Sequence, residues 1–343
     1  MSVGIKAIAQ ACGLSYNTVS DILNRGREHL YRPETRERVQ RVASDLNYRP
    51  NRSARSMRSS RTYVVGFLAS NMGTDGFLSN HIVYPFLVGM SHYFTDRGYH
   101  VSLVERKEVL LEQPDEIPVV LQEKFFDGLV VHYGVSQAVR DLLPQLQVPV
   151  IWWDADVFEE FDCIFRDETS VVCALTRHLI ELGHQRIAFM VGETSWHHYR
   201  HNLPVHFSYI QRYEGFLAEM EQHGLEATRI VGYESSSVAK QLKDQDITAV
   251  ITMGGDQSRA LIPACLKLGW SIPEFLTVAS CDVETRLRHH RFMEGGMGYD
   301  RYAAGEQAGQ MLHEKIETPS LEIPTVRLVG ELIAGQTITS PRS

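Results

Sequence analysis

The sequence predicts an α/β protein: two lobes, each a doubly wound parallel sheet, behind a small all-α helix-turn-helix domain at the N-terminus. Three observations carry this. From Thr62 onward, short apolar β-rich runs alternate with helical stretches, the pattern of parallel sheets covered by helices on both faces. About 280 residues of such alternation is long for one sheet, so two lobes are expected. The first 61 residues differ: three short helical periodicities with a basic excess.

In the head, Ile5, Ile8, Ala9 and Cys12 fall on one face of a short helix. Gly13 suits a left-handed helix end, and Ser15 suits the N-cap of a second helix over Tyr16–Leu23. Val19, Ile22 and Leu23 point inward there, leaving Tyr16, Asn17, Thr18, Ser20 and Asp21 to face away. Two short helices joined by a tight glycine turn form a helix-turn-helix, whose second helix offers its N-terminal residues to base edges in the major groove. A third helix starts at Pro33 and runs to about Leu46, with Val39, Val42 and Ala43 on one face. Beyond it, Arg52, Arg55 and Arg58 recur every three residues, with Ala54 and Met57 on another side. This segment has too little apolar surface for a stable isolated helix, but suits one that orders on DNA, with Met57 as a minor-groove wedge or packed on a dimer mate.

In the body, strands are expected at Tyr63–Ala69, His100–Val104, Gly128–Val131, Val148–Trp152, Ile187–Val191, Ala249–Thr252 and Thr277–Cys281. Helices are expected at Val88–Asp96, Ser170–Leu182, Arg212–His223 and Gln257–Leu268. Ligands of open α/β sheets bind beyond the C-terminal strand ends. Those ends carry Ser70, Asn71, Asp154, Gly192, Asp256 and Asp282: hydrogen-bonding groups without a nucleophile–base pair. With no phosphate-binding loop and no nucleophile elbow, binding is favoured over catalysis.

Charge separates the two parts. Residues 1–61 hold 12 basic and 5 acidic side chains, a balance of +7, whereas the remainder carries −15 within a total of −8. A basic head on an acidic body points to a polyanionic partner for the head alone. No run suits a membrane helix or a secretory signal, so a cytoplasmic protein with no membrane partner is expected. Five scattered cysteines without a C-x-x-C pair fit reduced thiols. His197, His198, His201 and His206 cluster, and His289 and His290 adjoin, but polar loop histidines are favoured over a metal site. No cofactor is expected.

The run Ile5–Ser20 (IKAIAQACGLSYNTVS), followed by PETRERV at Pro33–Val39, LNYRPN at Leu46–Asn51 and ARSM at Ala54–Met57, resembles the headpiece of the LacI/GalR family of transcription regulators. RHLIELGH at Arg177–His184, RIAF at Arg186–Phe189, RYEGF at Arg212–Phe216 and TAV at Thr248–Val250 extend the resemblance to that family's two-lobed sensor, which is similar to periplasmic sugar-binding proteins. It implies a recognition helix at Tyr16–Leu23, a hinge helix at Asn51–Arg58 and Met57 in place of the family's intercalating leucine. DNA contacts are then expected from Ser15, Tyr16, Asn17, Thr18, Ser20, Asp21, Arg27, Asn51, Arg52, Ala54, Arg55, Met57 and Arg58. Effector contacts are expected from Ser70, Asn71, Trp152, Asp154, His206, Arg212, Asp256 and Asp282. By position Arg212 grips the effector, while Asp154 and Asp282 accept hydroxyls from a sugar or sugar derivative.

The chain departs from the family at Asp21, where many members carry Arg or His, and in a longer Asn24–Arg32 loop with Arg25, Arg27 and Arg32. It departs again in the Ser70–Tyr84 loop, at Gly254–Asp256, and in the His- and aromatic-rich segment Glu193–Tyr209. The expected domains are residues 1–50 for DNA binding, 51–61 as hinge, and 62–343 as sensor and dimerisation domain. Its N-lobe is expected at about 62–163 and 293–326 and its C-lobe at about 164–292 and 327–343. The resemblance implies a homodimer acting as a repressor on a pseudo-palindromic double-stranded operator, with affinity set by the effector. Competing readings are an enzyme with an accessory DNA-binding arm and a sensor whose head docks on protein.

Overall fold

The computed structural model describes residues 3–24, 27–50, 56, 59–70, 76–106, 119–132, 137–203, 205–232, 235–285 and 293–342. The chain divides into two compact units, Met1–Tyr63 and Val64–Ser343.

Among the described residues the first unit packs three α-helices together: α1 (Ile5–Cys12), α2 (Tyr16–Asn24) and α3 (Pro33–Asp45). Gly13, at φ 60°, ends α1 in the left-handed region, and Ser15 Oγ accepts from the Thr18 amide at 3.0 Å to cap α2. Ile8, Ala9, Cys12, Val19, Ile22, Val39 and Ala43 form the core. Its exclusion of water corrects one expectation: Ser20 and Asp21 are buried, not turned outward. Asp21 accepts a hydrogen bond from the Tyr31 hydroxyl at 2.8 Å, from the loop that precedes α3.

The second unit holds two six-stranded sheets. The first comprises β1 (Val64–Ser70), β2 (His100–Arg106), β3 (Gly128–His132), β4 (Val150–Trp153), β5 (Cys163–Arg166) and β11 (Val326–Leu328), in the order β11-β5-β4-β3-β1-β2 with every pair parallel. The second comprises β6 (Ile187–Val191), β7 (Thr228–Val231), β8 (Ala249–Thr252), β9 (Thr277–Glu284), β10 (Gly295–Tyr299) and β12 (Glu331–Ile333), in the order β12-β10-β9-β8-β6-β7. Only β12 runs antiparallel to its neighbour.

Around them lie α4 (Gly76–Thr95), α5 (Val119–Gln122), α6 (Gln137–Leu142), α7 (Glu168–Glu181), α8 (Glu193–Arg200), α9 (Phe207–Gln222), α10 (Ser235–Asp244), α11 (Gly255–Lys267) and α12 (Arg301–Glu317). Leu129, Val131, Val139 and Leu143 centre one core of the first lobe; Phe189, Phe216 and Ile251 centre one of the second.

The seven expected strands are present, and five more join them. β10 escapes sequence reading because it is glycine-rich. A Cβ at Gly296 would stand 2.0 Å from the Ser280 carbonyl oxygen of β9, so close pairing, not β-propensity, selects its residues. The lobe boundaries shift as a result. β5 keeps residues up to Arg166 in the first lobe, and β10 keeps residues up to Tyr299 in the second, so the chain crosses at Asp167, Asp300 and residues 329–330.

Candidate ligand cleft and DNA-reading helix

β4 and β5 in one lobe and β9 in the other aim their C-terminal ends at the same space. Asp154 follows β4, Arg166 ends β5, Glu168 opens α7, Arg212 lies in α9, Asp282 lies near the end of β9 and Arg301 opens α12. All six are buried, none more than 8% exposed. Arg166 holds Asp154 through two bonds, Nη2 at 2.6 Å and Nε at 3.1 Å, and its Nη1 reaches Asp282 in the opposite lobe at 2.9 Å. Arg301 donates to both oxygens of Asp282 at 2.5 and 2.7 Å. Arg212 holds both oxygens of Glu168, reaches Asp282 at 3.5 Å and donates to the Met253 carbonyl. Three guanidinium groups thus balance three carboxylates, as buried charge requires.

Electrostatics follow from this packing. Burial alone pushes a carboxyl up, but Arg166 outweighs it and holds Asp154 at about 2. Burial likewise opposes ionisation of Asp282, yet Arg301, Arg166 and Arg212 together hold its carboxyl far below the usual range. Burial keeps the imidazoles beside Asp154 neutral, His132 at about 4 and His206 at about 3, against the pull of that carboxylate. His132 Nδ1 and Trp153 Nε1, at the ends of β3 and β4, find no hydrogen-bond partner among the described residues.

Of the effector residues expected from sequence, Asp154, Arg212 and Asp282 come together, and His206 stands near Asp154 while its Nδ1 caps α9. Asp256 does not join them: it pairs with Arg259 at 2.5 Å on the first turn of α11. Trp152 also lies elsewhere. Strand alternation sends it to the flank beside Leu143 and Val148, with Arg140 over its ring at 5.8 Å, whereas Trp153 turns into the core on Phe86. Ser70 ends β1, and Asn71, His289 and His290 lie outside the described residues. Sequence reading missed Arg166, Glu168 and Arg301. Each sits where the chain crosses between lobes, two of them flanking strands too short or too glycine-rich to recognise. Among the described residues no group of three or more His, Cys, Asp or Glu side chains could hold a metal ion.

In the head, Tyr16 and Asn17 are exposed at the start of α2, Thr18 is half-buried against Ser15, and Arg27 is exposed. Arg52, Arg55, Met57, Arg58 and their neighbours Asn51 and Ala54 lie outside the described residues.

Residues 4–51 match the family described as bacterial regulatory proteins, lacI family. Residues 95–250 match the periplasmic binding proteins and sugar binding domain of that family, and residues 176–338 match a periplasmic binding protein-like domain. The chain belongs to the LacI family. This LacI-family regulator is 28% identical over 296 residues to catabolite control protein A of Staphylococcus xylosus, covering 84% of each chain. Its fold is similar to the lac repressor dimer bound to operator and the anti-inducer ONPF, with TM-score 0.76, 18% identity and coverage of 99% and 100%. It is also similar to the transcriptional regulator CelR–cellobiose complex, with TM-score 0.63, 19% identity and coverage of 98% and 100%. The protein is a DNA-binding transcriptional regulator with a ligand-binding sensor domain. Among the described residues no helix is long and apolar enough to cross a membrane.

Proposed function

We propose that this regulator is a cytoplasmic homodimeric repressor that acts by binding, not turnover. Tyr16, Asn17 and Thr18, with Ser15 at the helix start, read base edges in each half of a pseudo-palindromic operator. Arg27 and the arginines at 52, 55 and 58 contact phosphate, and Met57 wedges the minor groove between half-sites. A small polar ligand of the carbohydrate class enters between the lobes and changes operator affinity by favouring one lobe arrangement over the other.

The observation that carries the reading is the convergence of Arg212, Asp154 and Asp282 from three elements of two lobes on one space beyond the strand ends. The unpartnered Nδ1 of His132, beside Asp154, adds hydrogen-bonding capacity there. The cellobiose named in the CelR complex makes an oligosaccharide the first ligand to try.

The test is a thermal-shift screen of the full chain against mono- and disaccharides, sugar acids and nucleobases, followed by anisotropy titration of its own upstream DNA with each hit. The expected result is one ligand that raises the melting temperature by mass action and moves operator affinity. Equal affinity for upstream and random duplex, with every ligand present, would falsify the reading.

A further inference from the structure

The two lobes are held together by the protein's own side chains. Arg166 belongs to the first lobe, and its guanidinium lies between Asp154 of the same lobe and Asp282 of the other, at 2.6 and 2.9 Å. A planar cation bonded to a carboxylate on each wall has the geometry of a bound ligand, except that it is tethered to β5. Other contacts also span the lobes: Arg301, past the Asp300 crossing, donates to both oxygens of Asp282, Arg166 Nη1 lies 3.0 Å from Glu168 Oε1, and Phe158, after β4, meets Phe207, at the start of α9, edge to face at 5.2 Å.

We propose that Arg166 is a built-in occupant of the cleft, a latch that closes the lobes without effector and that an effector must displace. Two physical arguments support this. Desolvating the charges offsets most of their mutual attraction, so a buried ion-pair network fixes a conformation while adding little net stability, which suits a contact that must also release. The attachment of Arg166 to the strand that leads into the Asp167 crossover places the latch on the segment about which the lobes turn. Displacing the guanidinium frees Asp154 for the donors of a ligand, leaves Asp282 to Arg301 and Arg212, and removes one bond that spans the lobes. The competition with effector rests on the ligand reading above; the closure does not.

The test uses the full chain without DNA or sugar and reads hydrogen exchange in peptides spanning 153–158, 166–172 and 280–285. In Arg166→Ala the latch is lost, and exchange in these peptides is expected to rise about tenfold or more while the rest of each lobe stays protected. Millimolar methylguanidinium, as a free copy of the missing group, restores protection, and neutral methylurea does not. Asp154→Asn, nearly the same shape, opens the lobes as well but is not rescued. Unchanged exchange in a folded Arg166→Ala overturns the latch, as does opening that methylguanidinium leaves unaltered. If neither variant folds, the network is a requirement of the fold and the proposal is equally wrong. None of these outcomes depends on operator or effector identity, so failure here leaves the functional reading separately testable.

Discussion

Arg212 clasps Glu168 through both arms of its guanidinium, Nε at 2.7 Å and Nη2 at 2.8 Å, with Glu168 wholly buried and Arg212 nearly so. The pair ties the first residue of α7 to the middle of α9 and orients the arginine towards Asp282. Removing one partner leaves an uncompensated buried charge, whose cost exceeds what the pair itself contributes. Glu168→Ala is expected to lower stability by about 3–5 kcal/mol. Calorimetric unfolding of the full chain checks it, and a loss below about 1 kcal/mol would show that water or a neighbour takes the place of the carboxylate.

In the head, Asp21 is buried and engaged by Tyr31. Tyr31→Phe removes the donor of that bond and is expected to cost the head about 0.5–1.5 kcal/mol. The base preference of the protein should stay the same. Operator selection from a randomised duplex pool checks this. If Asp21→Asn changes the selected base while leaving stability intact, Asp21 reads sequence after all.

The exposed residues of α2 and its following loop behave differently. Tyr16→Ala or Asn17→Ala is expected to weaken operator binding by about 1–3 kcal/mol and relax preference at one base step. Arg27→Ala is expected to weaken operator and random duplex alike and to reduce the salt slope by about 1. Anisotropy titrations across a salt series separate the two patterns.

Much of this was legible in advance. The head could be read because its helices obey local rules: apolar residues three and four apart, a serine cap, Gly13 at a left-handed corner. The interior strands could be read because burial on both faces makes them continuously apolar. The polarity of Ser20 and Asp21 suggests exposure, but a short helix packed on two others buries more than one stripe, and both are buried. Arg166, Glu168 and Arg301 could not be found from local pattern at all. Their meaning comes from crossovers that bring residues 19 to 116 positions distant in sequence against Asp282 and one another.

Acid should loosen the sensor before it reaches the carboxylates. His132 is held at about 4 and His206 at about 3 in the fold, so the unfolded chain takes up protons first as pH falls below the ordinary histidine value of 6.5. Stability is therefore expected to decline from about pH 6.5 down to about 4 for His132 and to about 3 for His206. Asp154 adds a further loss between about 3.8, where it protonates unfolded, and its folded value of about 2. Melting temperatures at a series of pH values check this. The double variant His132→Gln/His206→Gln should flatten the upper part of the decline, and an unaltered slope would assign it to other groups.

Two helices of the first lobe approach so closely that each needs a glycine. A Cβ at Gly305 of α12 would stand 2.0 Å from the Phe86 carbonyl oxygen of α4, and a Cβ at Gly89 of α4 would stand 2.0 Å from the Tyr302 carbonyl oxygen of α12. The obstacles are backbone, so neither can be relieved by turning a side chain; the helices must part. That separation would draw Phe86 away from the Trp153 ring, with which it stacks at 3.6 Å, and Trp153 directly precedes Asp154. Gly305→Ala is therefore expected to cost at least about 1–3 kcal/mol, the range for overpacking a close contact. It should also disturb the cleft from a distance, seen as faster exchange in the peptide spanning 153–158. A stability loss without that change would mean that α4 moves as a rigid body and leaves the Phe86–Trp153 stack intact.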